Sequence, residues 1–363
     1  MTVQTGQYGA PATSYEAEGQ PLVADTSKVS AKDWVKRQAR QLIWRCDIAT
    51  TGALRRNFVE LDPTTLERFR SHLLDQWSNR AYWESEVGRH DLEEHTFGRL
   101  RYDRHEYVPW LNELRPLSGA KILEIGCGTG SSIVALAEQG AALTGIDVVP
   151  EAIEMTLARV NLFGVNEPSL HAVNAAEIDN HFDHGSFDMV IFFASLEHMT
   201  HGERLISLQA AWRLLADDGI LCIIEAPNRL WPFDDHTSNL PFFHWLPDEL
   251  ALEYLKQSPR YDDACAFDTA SDGALLELSR RGRGVSYHDI ELALGPLHTL
   301  EFEVDRQSFQ DGQNPLRWLH YRRSSKRRVV NMLRWQRPDL PAGLFMPYLN
   351  VAIRKLNHHP ADK

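Results

Sequence analysis

Residues 117–132, LSGAKILEIGCGTGSS, constrain this chain more than any other stretch. A short apolar run, KILEI, feeds directly into Gly126, Gly128 and Gly130. A run with helical spacing, SSIVALAEQG, then stops at Gly140. Only glycine lets a backbone turn this tightly and pass close to a ligand where a Cβ would collide. The segment therefore predicts strand, turn and helix, the opening of a parallel βαβ unit. The rhythm continues with a strand in AALTGIDVV and a helix in PEAIEMTLARVNLFG that starts at Pro150 and stops near Gly164. SLHAVNA is a third strand, FDMVIFFASLEHM a fourth, GERLISLQAAWRLLADDG a helix and GILCIIEAP a fifth strand. Strands alternating with helices of about ten to fifteen residues predict an α/β protein with right-handed crossovers.

The flanks read differently. Residues 1–26 form an arm rich in Gly, Pro, Ser and Thr, expected to be disordered. Residues 27–117 read as a helical N-terminal cap. Ser27 is a candidate N-cap ahead of Val35, Ala39, Leu42 and Ile43, Asp62-Pro63 opens a second helix, and RYDRHEYVPWLNEL carries a third. The alternating core spans 118–228. Residues 229–290 form an aromatic and Pro-rich insertion, with 258–273 expected as loop. Residues 291–357 resume the sheet through HTLEFEVDRQSF, a basic helix across 316–335 and a last strand in YLNVAIRKL.

Composition narrows the function. The charge is 38 − 50 = −12, which disfavours a general nucleic-acid binder, because phosphate neutralisation needs a basic footprint. Cys46, Cys127, Cys222 and Cys265 are widely spaced and form no CxxC pair, as expected of a protein of the reducing cytoplasm. No stretch approaches the ~18 to 20 apolar residues of a membrane span, and the start has no basic region followed by an apolar core. A soluble cytoplasmic enzyme or binding protein is expected.

Two acids at strand ends identify the ligand. Asp147 ends the second strand, 21 residues after Gly126, where a carboxylate accepts hydrogen bonds from both ribose hydroxyls of an adenosine-containing ligand. A dinucleotide turn requires G-x-G-x-x-G; here the third glycine comes one residue early, with Ser131 following it. Glu124 sits just before the turn. Its charge would repel a pyrophosphate but suits a ligand bearing an ammonium and a sulfonium, which favours S-adenosylmethionine (SAM) over NAD.

Residues 119–225 resemble a class I SAM-dependent methyltransferase, of the broad group that includes the ubiquinone and menaquinone C-methyltransferases. The resemblance rests on LEIGCGTG, TGIDVVPEAI, GSFDMVIFFASLEHM and LLADDGILCIIEAPN, about a third of the chain in the family's order. It implies a Rossmann-like seven-stranded sheet with the last strand antiparallel. It also implies that Gly126, Cys127, Gly128 and Gly130 pass the methionine part and ribose, that Glu124 faces the amine through water, and that Asp147 holds the ribose with Val148 flanking the adenine. Asn174-Ala175-Ala176-Glu177 stands where the family carries an Asp-Ala pair, so either Asn174 or Glu177 is the acceptor for the adenine amino group, with Ala175 beside it. Ala194 and Ser195 would line the sulfonium. Glu197 and His198 either face substrate or cap the next helix.

The acceptor side is expected just after the fifth strand. Asn228, Trp231, Asp234 and His236, with Phe242, Phe243, His244 and Trp245 beyond, offer aromatic planes and polar groups suited to a sugar ring or a ring-bearing natural product. A looser resemblance to bacterial polysaccharide and secondary-metabolite methyltransferases points the same way. The expectation is O-methylation of such a small molecule or glycan unit, with His198 or His236 as general base. The alternatives are C-methylation of a membrane-associated isoprenoid quinone and a non-catalytic SAM-binding role. No metal is expected, because Asp234, Asp235 and His236 are too contiguous for a chelating set. The basic stretch 317–337, with no acid between Arg317 and Arg337, is either a solvated face or a contact for an anionic substrate or membrane surface. Lys28, Lys32, Lys36, Arg37, Arg40 and Arg45, beside Trp34 and Trp44, make the first helix basic as well.

Overall fold

A computed structural model of the 363-residue chain describes residues 58–59, 61–76, 86–259, 272–303 and 325–356. Seven strands form one sheet: β1 (Lys121–Ile125), β2 (Ala142–Asp147), β3 (Ser169–Ala172), β4 (Phe187–Phe193), β5 (Leu215–Pro227), β6 (Glu301–Phe302) and β7 (Tyr348–Arg354). Their order is β3-β2-β1-β4-β5-β7-β6. The first five strands run parallel, and β7 lies antiparallel between β5 and β6. The parallel part is what the alternation predicts, and the antiparallel last strand is what the family resemblance implies. The sheet's central strands are buried on both faces, as parallel strands flanked by helices must be. In β1, Ile122 and Leu123 point to opposite faces and both are buried.

Helices cover both faces. On one lie α2 (Ser131–Ala137), α3 (Pro150–Phe163) and part of a helical run over 86–114. On the other lie α4 (His201–Leu214) and α7 (Tyr287–Leu294), with Leu344 and Phe345. α1 (Pro63–Gln76) begins where Asp62 Oδ1 accepts the N–H groups of Thr64 and Thr65 at 2.9 and 3.0 Å, and it packs Phe69 and Leu73 with Met155 of α3. The third predicted helix is part of the 86–114 run, in which two π-turns, Glu94–Gly98 and Asp103–Tyr107, interrupt the α-helical pitch. Arg159 of α3 ties this run to the glycine turn. Its Nε donates to Thr129 O at 2.6 Å, one terminal nitrogen to Thr96 O at 3.0 Å and the other to His95 O. The guanidinium lies over Phe69, 4.3 Å from the ring centroid.

Three expectations need correction. The fourth helix stops at Leu214 rather than continuing through LADDG, and β5 already begins at Leu215. Phe187 pairs Leu215 while Met189 pairs Ile220, so residues between them bulge out of the ladder around Asp218, whose φ is +63°. The 229–290 region is not irregular. It holds α5 (Asp248–Leu255), α6 (Asp272–Arg281), a two-residue ladder of Phe233–Asp234 with Leu240–Pro241, and a small apolar cluster of Leu240, Phe243, Leu252, Leu255 and Leu278. Asp272 and Gly273, at the end of the expected 258–273 loop, are thus helical. The basic helix, α8, is described as Ser325–Arg334, and within it Arg334 Nε donates to Leu340 O at 3.2 Å. The arm, the Ser27 helix with its basic set, Cys46, Cys265 and Arg317, Arg322 and Arg323 fall outside the described residues. No helix among the described residues is long and apolar enough to cross a membrane.

Candidate functional site

The carboxyl ends of β1, β2, β4 and β5 meet at one edge of the sheet, where ligands bind in open α/β folds. The glycine turn continues the sheet before leaving it: the N–H groups of Gly126 and Cys127 both donate to Ile146 O, at 2.8 and 3.0 Å. Gly126 has φ +84°, and a Cβ there would stand 2.5 Å from Ser195 Cβ. Gly130, at φ +75°, would place one 2.8 Å from Thr156 Cγ2. The turn is therefore pressed against both β4 and α3, while Gly128 opens onto space with no atom within 4 Å of its would-be Cβ. Cys127 contributes backbone only, since its side chain is buried in the core and Thr156 Oγ1 lies 3.8 Å from its Sγ.

Glu124 and Asp147 stand at the carboxyl ends of β1 and β2. Glu124 is buried. Its Oε1 accepts from the Ser132 hydroxyl, and Oε2 has no hydrogen-bond partner. Burial pushes its carboxyl up to about 8 against the pull of Ser132. Asp147 accepts from Gly128 N through Oδ2 and from Val149 N through Oδ1, both at 3.0 Å. Burial raises it too, opposed by those N–H groups. Beside it Val148 is 65% exposed, an apolar surface open to a flat ring. Ala194 and Ser195 follow β4, and Ser195 lies against the turn at Gly126. Ala194 holds φ +44°, a conformation alanine rarely takes, with its N–H on Ile224 O at 2.9 Å, and Ser195 Oγ is buried without a partner. At β3 the picture is simpler than expected. Asn174 Oδ1 accepts from Ala176 N at 2.9 Å and caps the short turn Ala175–Asn180, Ala175 packs into the core, and Glu177 is exposed.

An orphaned buried carboxylate oxygen, a glycine turn with open space at Gly128, and a ribose-height acid beside an exposed apolar residue fit S-adenosylmethionine. Glu124 would hold the amino group, Asp147 the ribose and Val148 the adenine face. Sequence reading missed further acids over this edge. Glu225 lies near the carboxyl end of β5, at φ +57°, and accepts from Tyr107 OH at 2.7 Å. Burial raises Glu225, lifts Asp103 to about 8, and lifts Glu94 to about 7 with Arg99 opposing. The only local signal was the acid in the otherwise apolar strand IIEAP.

On the acceptor side the structure brings Glu197, His198 and His236 together. Glu197 Oε1 lies 3.9 Å from His198 Nε2 and 3.8 Å from His236 Nε2, and the imidazole centroids are 5.6 Å apart. Glu197 is fully buried, and neither carboxylate oxygen has a hydrogen-bond partner. Burial pushes it up to about 8 and pushes His198 down to about 4. Glu197 and His198 do not cap the next helix. Thr200 does, accepting from Glu203 N at 3.3 Å in a capping box.

The other predicted substrate residues have structural work. Asn228 is buried, donates to Leu344 O and Met346 O at 2.9 and 2.8 Å and accepts from Leu230 N, so its amide is consumed within the fold. Asp234 accepts from the N–H groups of His236, Thr237 and Ser238 and from Ser238 Oγ, and lies 3.2 Å from His244 Nε2. Burial opposes its ionisation, but these donors and His244 hold the carboxyl well below the usual range. It shapes the turn that presents His236. Asp235 turns away to accept from Tyr348 OH at 2.7 Å, so the contiguous acids and His236 do not converge. Trp231 is half-buried against the core, whereas Phe233, Phe242 and Trp245 are exposed.

Sheet order, glycine turn and paired acids define residues 122–219 as a class I SAM-dependent methyltransferase domain, and this segment matches the methyltransferase-domain family. The chain is 31% identical over 142 residues to a ubiquinone biosynthesis O-methyltransferase of Albidiferax ferrireducens, a match covering 38% of this chain and 49% of that one. It is 28% identical over 159 residues to the enzyme of that description from Paracidovorax citrulli, covering 44% and 60% respectively. The chain thus spans about half the length of these relatives. Among solved structures, magnesium protoporphyrin IX methyltransferase from Synechocystis, with bound S-adenosylhomocysteine, is 21% identical, covering 66% of this chain and 90% of that one at a TM-score of 0.40.

Proposed function

We propose that the whole chain is a SAM-dependent O-methyltransferase acting on a hydroxyl of a ring-bearing small molecule or glycan unit. The observation that carries this reading is the position of Glu197, His198 and His236, which begin two residues beyond Ser195, the residue that packs on the glycine turn. Bound S-adenosylmethionine supplies a methyl on sulfonium sulfur, which keeps the S–C electron pair and leaves as the thioether S-adenosylhomocysteine while the acceptor oxygen forms the new O–C bond. The chain positions the two partners and keeps water out, which is the larger part of catalysis for such a displacement. His198 Nδ1 faces a carbonyl, Arg280 O, at 2.8 Å, so Nδ1 carries the proton and Nε2 is the basic nitrogen aimed at the cluster. Thr237 Oγ1 spends its hydrogen on Gly282 O at 2.8 Å and so accepts from His236 Nδ1 at 2.9 Å, which leaves His236 Nε2 basic as well. The hydroxyl gives up its proton at this cluster. Phe233, Phe242 and Trp245, exposed aromatics of the segment that carries His236, suit a ring-bearing acceptor, and relatives described as ubiquinone biosynthesis O-methyltransferases support an oxygen acceptor.

Calorimetric titration with S-adenosylhomocysteine tests the cofactor half, with NAD as control. Micromolar binding that Asp147→Ala abolishes is the expected result; heat with NAD instead would overturn it. Labelled methyl transfer to panels of catechols and sugars tests the acceptor, and recovery of label on carbon rather than oxygen would refute O-methylation.

A further inference from the structure

We propose that Glu197, His198 and His236 form a site for one divalent transition-metal cation at the methyl-acceptor position. Two imidazoles and one carboxylate are the protein ligands of open catalytic metal sites, which keep a further coordination position for water or substrate. The one nitrogen or oxygen offered by each residue lies within 4.8 Å of the other two. Ligands at about 2.1 Å from one ion in a tetrahedral set stand ~3.4 Å apart. The 3.8 and 3.9 Å separations from Glu197 Oε1 thus need to close by about half an ångström, within reach of small side-chain rotations.

The surroundings are those of a ligand set rather than of a packed core. Each imidazole donates its other ring nitrogen to a fixed acceptor, His198 to Arg280 O and His236 to Thr237 Oγ1, which orients Nε2 toward the centre, as metal-bound histidines are oriented. The Asp234 turn fixes the backbone of His236. Gly282, at φ +117°, leaves room for the ring: a Cβ there would fall 2.7 Å from His236 Cε1. Glu197 supplies the strongest sign. A fully buried carboxylate with no hydrogen-bond donor on either oxygen is costly to leave as it stands, and a cation between it and the two imidazoles satisfies it.

For its purpose the assignment rests on the O-methylation reading, and it gives the task of ionising the acceptor to the ion rather than to an imidazole. A hydroxyl oxygen coordinated there has its O–H bond weakened. The proton leaves to bulk water, and the electron pair stays on the oxygen that meets the methyl group. Imidazole and carboxylate donors suit Mn, Fe, Co, Ni or Zn.

The test is direct binding to the full-length protein after dialysis against chelator. Mn²⁺ titration is followed by loss of the free-ion electron paramagnetic resonance signal, and Co²⁺ titration by visible absorption. One equivalent should bind, with affinity reduced about a hundredfold or more in Glu197→Gln and in His236→Ala. S-Adenosylhomocysteine titration of the same variants should be unchanged, which reports that they are folded. If a buried substitution abolishes that binding, His198→Gln at the half-exposed ligand replaces it. No saturable uptake of Mn²⁺ or Co²⁺ up to millimolar, or uptake equal in wild type and variants, overturns the site. Failure of the cofactor reading would show separately, as loss of S-adenosylhomocysteine binding in the wild-type protein.

Discussion

The two halves of the site are built in opposite ways. The cofactor side is made by a nearly continuous peptide: Glu124, Gly126, Gly128 and Gly130 lie within seven residues, and the contacts that shape the turn are largely backbone to backbone. The acceptor side is assembled by side chains from three separated segments. Arg204 shows how. Its guanidinium donates to Leu196 O at 3.1 Å, Arg283 O at 3.0 Å and Gly284 O at 3.3 Å, and pairs with Asp289 at 3.1 Å. One buried cation thus binds the loop carrying Glu197 and His198 to the segment that seats His236. A turn written in glycines is fixed by sterics. A cluster held by buried charges depends on every partner.

The sharpest way to break this division is the double substitution of His198 and His236 by alanine. Loss of proton acceptance or of metal ligation at the acceptor should lower turnover by about 10²- to 10⁴-fold, while calorimetric affinity for S-adenosylhomocysteine stays at the wild-type value. A parallel collapse of cofactor affinity would show that the halves are one unit. Next in size is Arg204→Met. It removes one partner of a buried pair and strands Asp289, whose carboxyl, despite burial, is held well below its usual range by His201 and Arg204. Breaking such a pair costs about 3–5 kcal/mol. Denaturant unfolding should show that loss, and the surviving folded protein should lose turnover more than cofactor affinity.

The same contrast explains what the sequence made legible. The α/β class and the glycine-acid set follow from local patterns, because strand, turn and helix each leave a periodic trace, whereas the antiparallel closing strand came only from the family resemblance. Glu197 and His198 were found because they follow a strand end. Asn228 and Asp234 were assigned to substrate because residue type shows a polar group but not the hydrogen bonds that exhaust it. Glu225 and Tyr107 were missed because their contact joins residues 118 apart, which only the packing of the 86–114 run on β5 creates. The helices α5 and α6 escaped notice because they are only eight and ten residues long and stand in a stretch read as an aromatic and Pro-rich insertion with a long loop.

The smallest effect tests whether the acceptor side is also tied by its rim. Arg280 donates to His198 O at 2.9 Å and to Glu203 Oε2 at 2.6 Å, while its own carbonyl receives His198 Nδ1. Glu203 is pulled from 4.5 down to about 2, first by the Arg280 hydrogen bonds and then, against burial, by Thr200. A depressed folded pKa means that the stabilisation is full above the unfolded value and is lost as pH falls from about 4.5 through about 2. For a pair this exposed it is worth about 0.2–1 kcal/mol. Wild type should therefore melt slightly above Glu203→Gln at pH 7, with the gap closing as pH drops below 4.5 and shrinking in high salt. A gap that held constant down to acid pH would assign the effect to the Thr200 cap rather than to the Arg280 clamp, and the rim would then owe its shape to helix capping instead of charge.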